Sequence, residues 1–156
     1  MKNDGGKYDY AFTAASLKLH DFMRLARYVV ENKLEDRLST IDPNIIVRRE
    51  NARTNKREFA ELIKRYKQLT IEQRTLLPTL DIEGQQQLTL LGACKAHLLI
   101  RDFIIEVVRE KFFLLDFELS IGDYKGFLQD KIDLYPELDG FSIGTEKKAR
   151  QVVWRI

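Results

Sequence analysis

The apolar positions are densest between Gly84 and Leu119. Leu98, Leu99, Ile100, Phe103, Ile104, Ile105, Val107, Val108, Phe112 and Phe113 fall within sixteen residues, with no proline or glycine between them. Apolar groups this dense wrap most of the way round a helix, so the pattern predicts a central buried helix over 97–113. The charges are confined to Arg101, Asp102, Glu106, Arg109, Glu110 and Lys111. Asp102, Glu106, Arg109 and Glu110 are spaced by three or four, which makes one wetted stripe.

The rest of the chain also repeats at helical spacing. Thr13 or Ser16 can cap a first helix, whose apolar side is Leu17, Phe22, Leu25, Ala26, Val29 and Val30 and which should end near Asn32. Leu34 to Leu38 suits a short turn, and Asp42-Pro43 is an N-cap followed by proline at the first helical position. Thr54 to Leu69 reads as a helix with Phe59, Leu62, Ile63, Tyr66 and Leu69 inward. Thr70 with Gln73 forms a capping box for a short helix that stops at Pro78. Gln85 to Lys95 is helical with Leu88, Leu91 and Cys94 inward, and a break near Ala96-His97 precedes the central helix. Ser120 starts another helix, with Tyr124, Phe127 and Leu128 inward. Tyr135-Pro136 ends it, Asp139-Gly140 turns, and Thr145 caps a last helix through Ala149, Val152, Val153 and Ile156. Trp154 is read as a core anchor. No run of period-two alternation, internal repeat or low-complexity tract interrupts this. The fold class is all-α, a compact multi-helix bundle in one domain spanning 1–156, with 1–9 expected to be disordered.

Composition narrows the function classes. With 156 residues, 44% hydrophobic and 32% charged, the chain reads as soluble and globular. The single cysteine, Cys94, excludes an internal disulfide and fits a reducing, cytoplasmic setting; on an apolar helical pattern it reads as a packed thiol. The polar start, MKNDGGKYDY, has no apolar core of the kind a signal peptide needs. The best membrane candidate, Leu98 to Val108, is broken by Arg101-Asp102 and falls short of the ~20 apolar residues a span needs.

Charge changes the picture more. The net value is only +2, but residues 48–68 hold eight bases against three acids, whereas residues 102–139 hold four bases against ten acids. Separated signs of this kind create strong local fields. The bases of the first segment are Arg48, Arg49, Arg53, Lys56, Arg57, Lys64, Arg65 and Lys67. Such groups neutralise phosphates and release counterions, and arginine adds bidentate contacts. Asn51, Thr54 and Asn55 lie among them and could bond phosphates too, as could exposed backbone amides at the helix start. The bland alternative is a solvated helical face, paired with the acidic segment. From composition alone it has a slight advantage. A second basic patch, Lys147, Lys148 and Arg150, opens the last helix against the helix dipole, a cost that a bound phosphate would offset.

Catalytic chemistry finds little support. His20 and His97 are far apart and lie in no motif. Cys94 and His97 are three apart, but zinc needs three or four protein ligands and nothing nearby completes the set. Asp102, Glu106 and Glu110 form an i, i+4, i+8 carboxylate stripe without the Glu-x-x-His pattern of di-iron sites, and Arg101, Arg109 and Lys111 can neutralise it. No glycine-rich phosphate loop and no nucleophile elbow occurs. The chain is read as non-enzymatic, with neither metal nor cofactor.

One resemblance covers nearly the whole chain. The run LLGACKAHLLIRDFIIEVVREKFFLLDFELSIGDYKGFLQDK, then PEL, then GTEKKARQVVWRI, resembles the BrxA family, formerly a domain of unknown function, encoded in BREX phage-defence operons. Tyr10-Ala11-Phe12-Thr13 and the basic Arg53–Tyr66 segment fit the family's order of features. No single motif is diagnostic; order and spacing carry the likeness. It implies a fold similar to the antitermination factor NusB, and an association with DNA that tips the balance towards duplex DNA as partner through the basic helix. It also implies a further portion beyond Trp154-Arg155-Ile156, relative to which this C-terminus is cut short. The alternatives are a protein-interaction module or scaffold, in which the acidic segment and an exposed apolar patch dock other BREX components, or RNA binding as in NusB.

Overall fold

The computed structural model describes residues 8, 10–14, 16–140 and 143–153. Every regular element among them is helical, in keeping with an all-α bundle. The chain divides into two compact units. One is residues 14–96; the other joins residues up to 13 to residues 97–155.

The first unit contains α1 (Leu19–Asn32), α2 (Pro43–Ile46), α3 (Ala52–Lys67), α4 (Ile71–Leu76) and α5 (Ile82–Ala96). The local signals behave largely as expected. Asp42 accepts from the Asn44 amide and Pro43 occupies the first turn of α2, while Thr70 and Gln73 form the capping box of α4. The start of α1 is a correction. Neither Thr13 nor Ser16 caps it; Lys18 sits at the N-cap in a left-handed conformation with φ 55°, without a side-chain cap. The core gathers Phe22, Leu25, Ala26 and Val29 of α1, Ile46, Leu62 and Tyr66 from α2 and α3, and Leu69 and Leu77 beyond them.

α5 meets α3 differently from its sequence pattern. Its most buried residues are Gln85, Thr89, Gly92 and Ala93, while Leu88 and Leu91 are only partly buried. Close backbone approach explains the shift: a Cβ on Gly92 would lie 3.0 Å from the Arg65 carbonyl oxygen. A rigid helix carbonyl yields less readily than a side-chain tip. Gly92→Val is therefore expected to destabilise the chain by about 1–3 kcal/mol through overpacking, outweighing the gain from replacing a helical glycine. Urea melts of the variant would show it as a lowered midpoint with an unchanged m-value.

The second unit contains α6 (Leu98–Phe103), a π-helical turn (Ile104–Val108), α7 (Arg109–Phe113), α8 (Ile121–Leu134) and α9 (Ile143–Val153). His97, extended at φ −136°, makes the break expected near Ala96-His97. The uniformly buried helix expected over 97–113 needs correction. Leu99, Ile100 and Phe103 are buried, residues 104–108 mostly half-buried, and Phe112 and Phe113 exposed. A π turn bonds i to i+5 and adds a residue per turn, so the inward face of α6 does not continue into α7. Ser120 and Asp123 cap α8, which buries Tyr124, Phe127, Leu128 and Lys131. Phe103 packs edge-on against Tyr124 and Phe127, with ring centroids 5.9 and 5.3 Å away. Gly140 turns the chain at φ 84°, and α9 starts two residues before the expected Thr145 cap. Of the segment expected to be disordered, Tyr8 is instead buried; its other residues, like Trp154, lie outside the described residues.

Candidate nucleic-acid interface

The basic segment becomes α3 and its approach. Asn51 is the N-cap, accepting from the Arg53 and Thr54 amides at 2.9 and 3.2 Å. Those amides are thereby satisfied and are not the open anion seat expected of the helix start. Asn55, also expected as a phosphate contact, is buried. Its side chain accepts from the Arg49 amide at 2.8 Å and donates to Asn44 Oδ1 and the Arg49 carbonyl oxygen. It ties the approach segment to the helix.

The helical period then sorts the charges. At ~100° per residue, Arg53, Lys56, Arg57, Ala60, Lys64 and Lys67 fall within an arc of about 100°. All six are exposed. Of the two acids of the helix, Glu58 lies on the far side and Glu61 on the flank, about 40° beyond Arg57; both are buried. The stripe runs ~21 Å at 1.5 Å per residue. Among the described residues, no ion pair involves any of its five bases. Arg53, Lys56, Arg57 and Ala60 line, with Asn51 and Thr54, an open concavity of about 500 Å³. No aromatic ring lies on the stripe; Phe59 and Tyr66 are in the core.

Two expected contact residues are drawn away. Arg65 is 0% exposed. It donates through Nε to Glu61 at 2.6 Å and through Nη1 to the Ser16 carbonyl oxygen at 2.7 Å. Burial pushes its pKa below the ordinary arginine value, and Glu61 offsets only part of that. A guanidinium held there does not reach a phosphate. Arg49 is part-exposed, but it bridges Asp21 at 2.5 Å and Glu58 at 3.3 Å, so its charge is already answered. Arg48 remains exposed and donates to the Ile45 carbonyl oxygen at 3.3 Å. It shares a concavity of about 360 Å³ with His20, Arg24, Arg27, Tyr28, Glu31 and Ile45. Arg24 there already pairs with Asp21 at 3.0 Å, whereas Arg27 is exposed and was not among the expected contact residues. In the other unit, Lys147 and Lys148 are exposed on α9 and Arg150 is half-buried.

The carboxylate stripe is used in ion pairs. Lys131 donates to Asp102 at 3.2 Å and Glu106 at 2.7 Å, Arg101 donates to Asp102 at 2.9 Å, and the Tyr8 hydroxyl also donates to Asp102. Burial pushes the Asp102 carboxyl up, but hydrogen bonds from Tyr8, Arg101 and Lys131 outweigh it and hold it below its ordinary range. Burial pushes Lys131 down, but Glu106 and Asp102 hold it above its ordinary value. Glu110 pairs with Arg109 at 3.1 Å. Among the described residues no group of three or more His, Cys, Asp or Glu side chains could hold a metal, and no helix is long and apolar enough to cross a membrane.

A family model matches residues 6–156, nearly the whole chain; it is that of BrxA. No curated protein matches.

Proposed function

We propose, from the premise that this chain belongs to the BrxA family of BREX-associated proteins, that it is a non-enzymatic accessory protein that binds duplex DNA through the phosphate backbone. The observation that carries this reading is the exposed face of α3: five bases along ~21 Å, without an acid among them. Duplex DNA presents one phosphate charge per ~1.7 Å of axis, so a stripe of this length meets several at once. Its long, flexible side chains and the alanine at its middle favour contact with a charged backbone over base reading. The absence of an aromatic platform on this face favours a duplex over single strands, whose binding generally uses stacking. Arg48 would extend the contact from the α3 approach. Lys147, Lys148 and Arg150 are a secondary contact within the same reading. The NusB-like fold implied by the resemblance belongs to the same proposal, as does action inside the cell.

The test is fluorescence anisotropy over a salt series with labelled duplex DNA, duplex RNA and single strands. The triple variant Arg53→Gln/Lys56→Gln/Arg57→Gln is expected to weaken duplex DNA binding for all sequences alike. Its log–log salt slope should flatten by about 0.9 for each phosphate that the variant no longer neutralises. Failure of the wild-type chain to bind any nucleic acid at low salt would overturn the proposal. Preference for duplex RNA or single strands would move it to RNA.

A further inference from the structure

The acidic unit displays an apolar surface that its own core does not use. Phe112, Phe113, Leu114, Leu115 and Phe117 are 62–78% exposed, and Leu119 and Ile121 are 42% and 52% exposed. At ~200 Å² per phenylalanine, and somewhat less per leucine or isoleucine, these fractions sum, backbone included, to at most about 800 Å². The largest apolar patch on a typical monomer is about 300–600 Å². One side of a standard protein interface buries about 800 Å².

This surface is held in place. α7 ends in a Schellman motif, with the Leu115 amide donating to the Phe112 carbonyl at 3.1 Å and the Asp116 amide to the Lys111 carbonyl at 2.9 Å. The residue at the left-handed position of that motif is usually glycine. Here it is Leu115, at φ 58°. A bulky residue in that region is a genuine outlier. The chain thus tolerates backbone strain at a position whose side chain is 76% exposed, and strain of this kind clusters at functional sites. Lys111 bridges Asp116 at 2.5 Å and Asp123 at 3.3 Å, closing the loop, while Phe112 packs against Phe113 and Phe117.

The rim identifies the partner. Between Arg109 and Asp123 the carboxylates Glu110, Asp116, Glu118 and Asp123 outnumber the bases Arg109 and Lys111; the two bases pair with three of the four, which leaves Glu118 outside the pairs and the rim net acidic. A second copy would bring two acidic rims together, and nucleic acid or an anionic lipid surface would be repelled. We propose that the segment from Phe112 to Ile121 docks another protein through an apolar patch bordered by lysine or arginine. This site is independent of the α3 stripe.

The probes are a fluorescein-labelled amphipathic helix of leucine and lysine and its leucine–glutamate counterpart, titrated with the full chain. The lysine peptide is expected to bind at least tenfold tighter. Phe113→Ser/Phe117→Ser should lose at least tenfold of that affinity, while the Arg53→Gln/Lys56→Gln/Arg57→Gln variant keeps it. Leu115→Gly is the more telling substitution: it should weaken the lysine peptide several-fold while leaving Tm unchanged or raised, because it relieves the left-handed leucine. A residue serving only the fold would lower Tm. Equal binding of the two peptides, binding of neither, or unchanged affinity in the patch variants would overturn the proposal. So would a wild-type dimer in sedimentation that Phe113→Ser/Phe117→Ser dissolves, since a second copy would then be the occupant.

Discussion

Glu61→Ala is expected to cost about 3–5 kcal/mol of stability, as does removing one partner from other buried ion pairs. Its side chain is 6% exposed and its partner Arg65 is 0% exposed, with the two 2.6 Å apart. Deleting the carboxylate takes the Glu61 ion pair away from a guanidinium held in the interior. The pair as a whole is worth much less than that loss, since replacing both members by apolar groups of similar size is often neutral or better. The double variant Glu61→Leu/Arg65→Met is therefore expected to recover most of the stability that Glu61→Ala forfeits. Urea melts of wild type, both single variants and the double variant complete the cycle. A double variant as unstable as Glu61→Ala would show that packing around Arg65, not its charge, is what matters. Duplex DNA binding by the folded double variant should retain the wild-type salt slope, because Arg65 is absent from the stripe.

Asp102→Asn should cost a similar amount, about 3–5 kcal/mol, and should also change the response to pH. Lys131 is 7% exposed and, among the described residues, would keep only Glu106, itself half-exposed, as an ionic partner. The folded pKa of Asp102 is held below its unfolded value. Its contribution is thus fully present above the unfolded value of ~3.9 and is lost as pH falls through the folded value. Lys131 is shifted the other way: its contribution is full below ~10.4 and is lost as pH rises through its raised folded value. The pair is therefore at full strength between about pH 4 and pH 10. Wild-type Tm should fall steeply below pH 4, and Asp102→Asn should be flatter there. Parallel acid limbs for the two proteins would mean that other carboxylates dominate the transition.

The sequence revealed much of the architecture because the signals involved are local. Asp42-Pro43, Thr70 with Gln73 and Ser120 are each decided within one turn of chain, and each sits where expected. Legibility failed where a neighbouring element decided the outcome. Leu88 and Leu91 pack against the core as read but stay only partly buried, because Gly92 allows α3 so close that the small and polar side is the more deeply buried. The apolar run over 97–113 looked uniformly buried, because composition does not register the π turn that divides it. The candidate interface was half legible. Helical spacing from Thr54 set Lys56, Arg57, Lys64 and Lys67 off the apolar side; Arg53 joined them because the helix starts at Ala52. That Arg49 would spend its charge on Asp21 and Glu58 depends on partners 28 and 9 positions away, beyond any local pattern, whereas Glu61 and Arg65 are an i,i+4 pair whose burial, not spacing, was hidden.

The π turn at Ile104–Val108 also separates two questions that a helix ordinarily answers together. What α6 buries and what α7 displays are set on either side of it, so they can drift apart through a single-codon deletion or insertion. Removing one residue would restore an unbroken α-helical phase and swing Phe112 and Phe113 by about 100° around the axis. Two chains differing by that one position could share every helix and cap, and still present different aromatic surfaces to their surroundings.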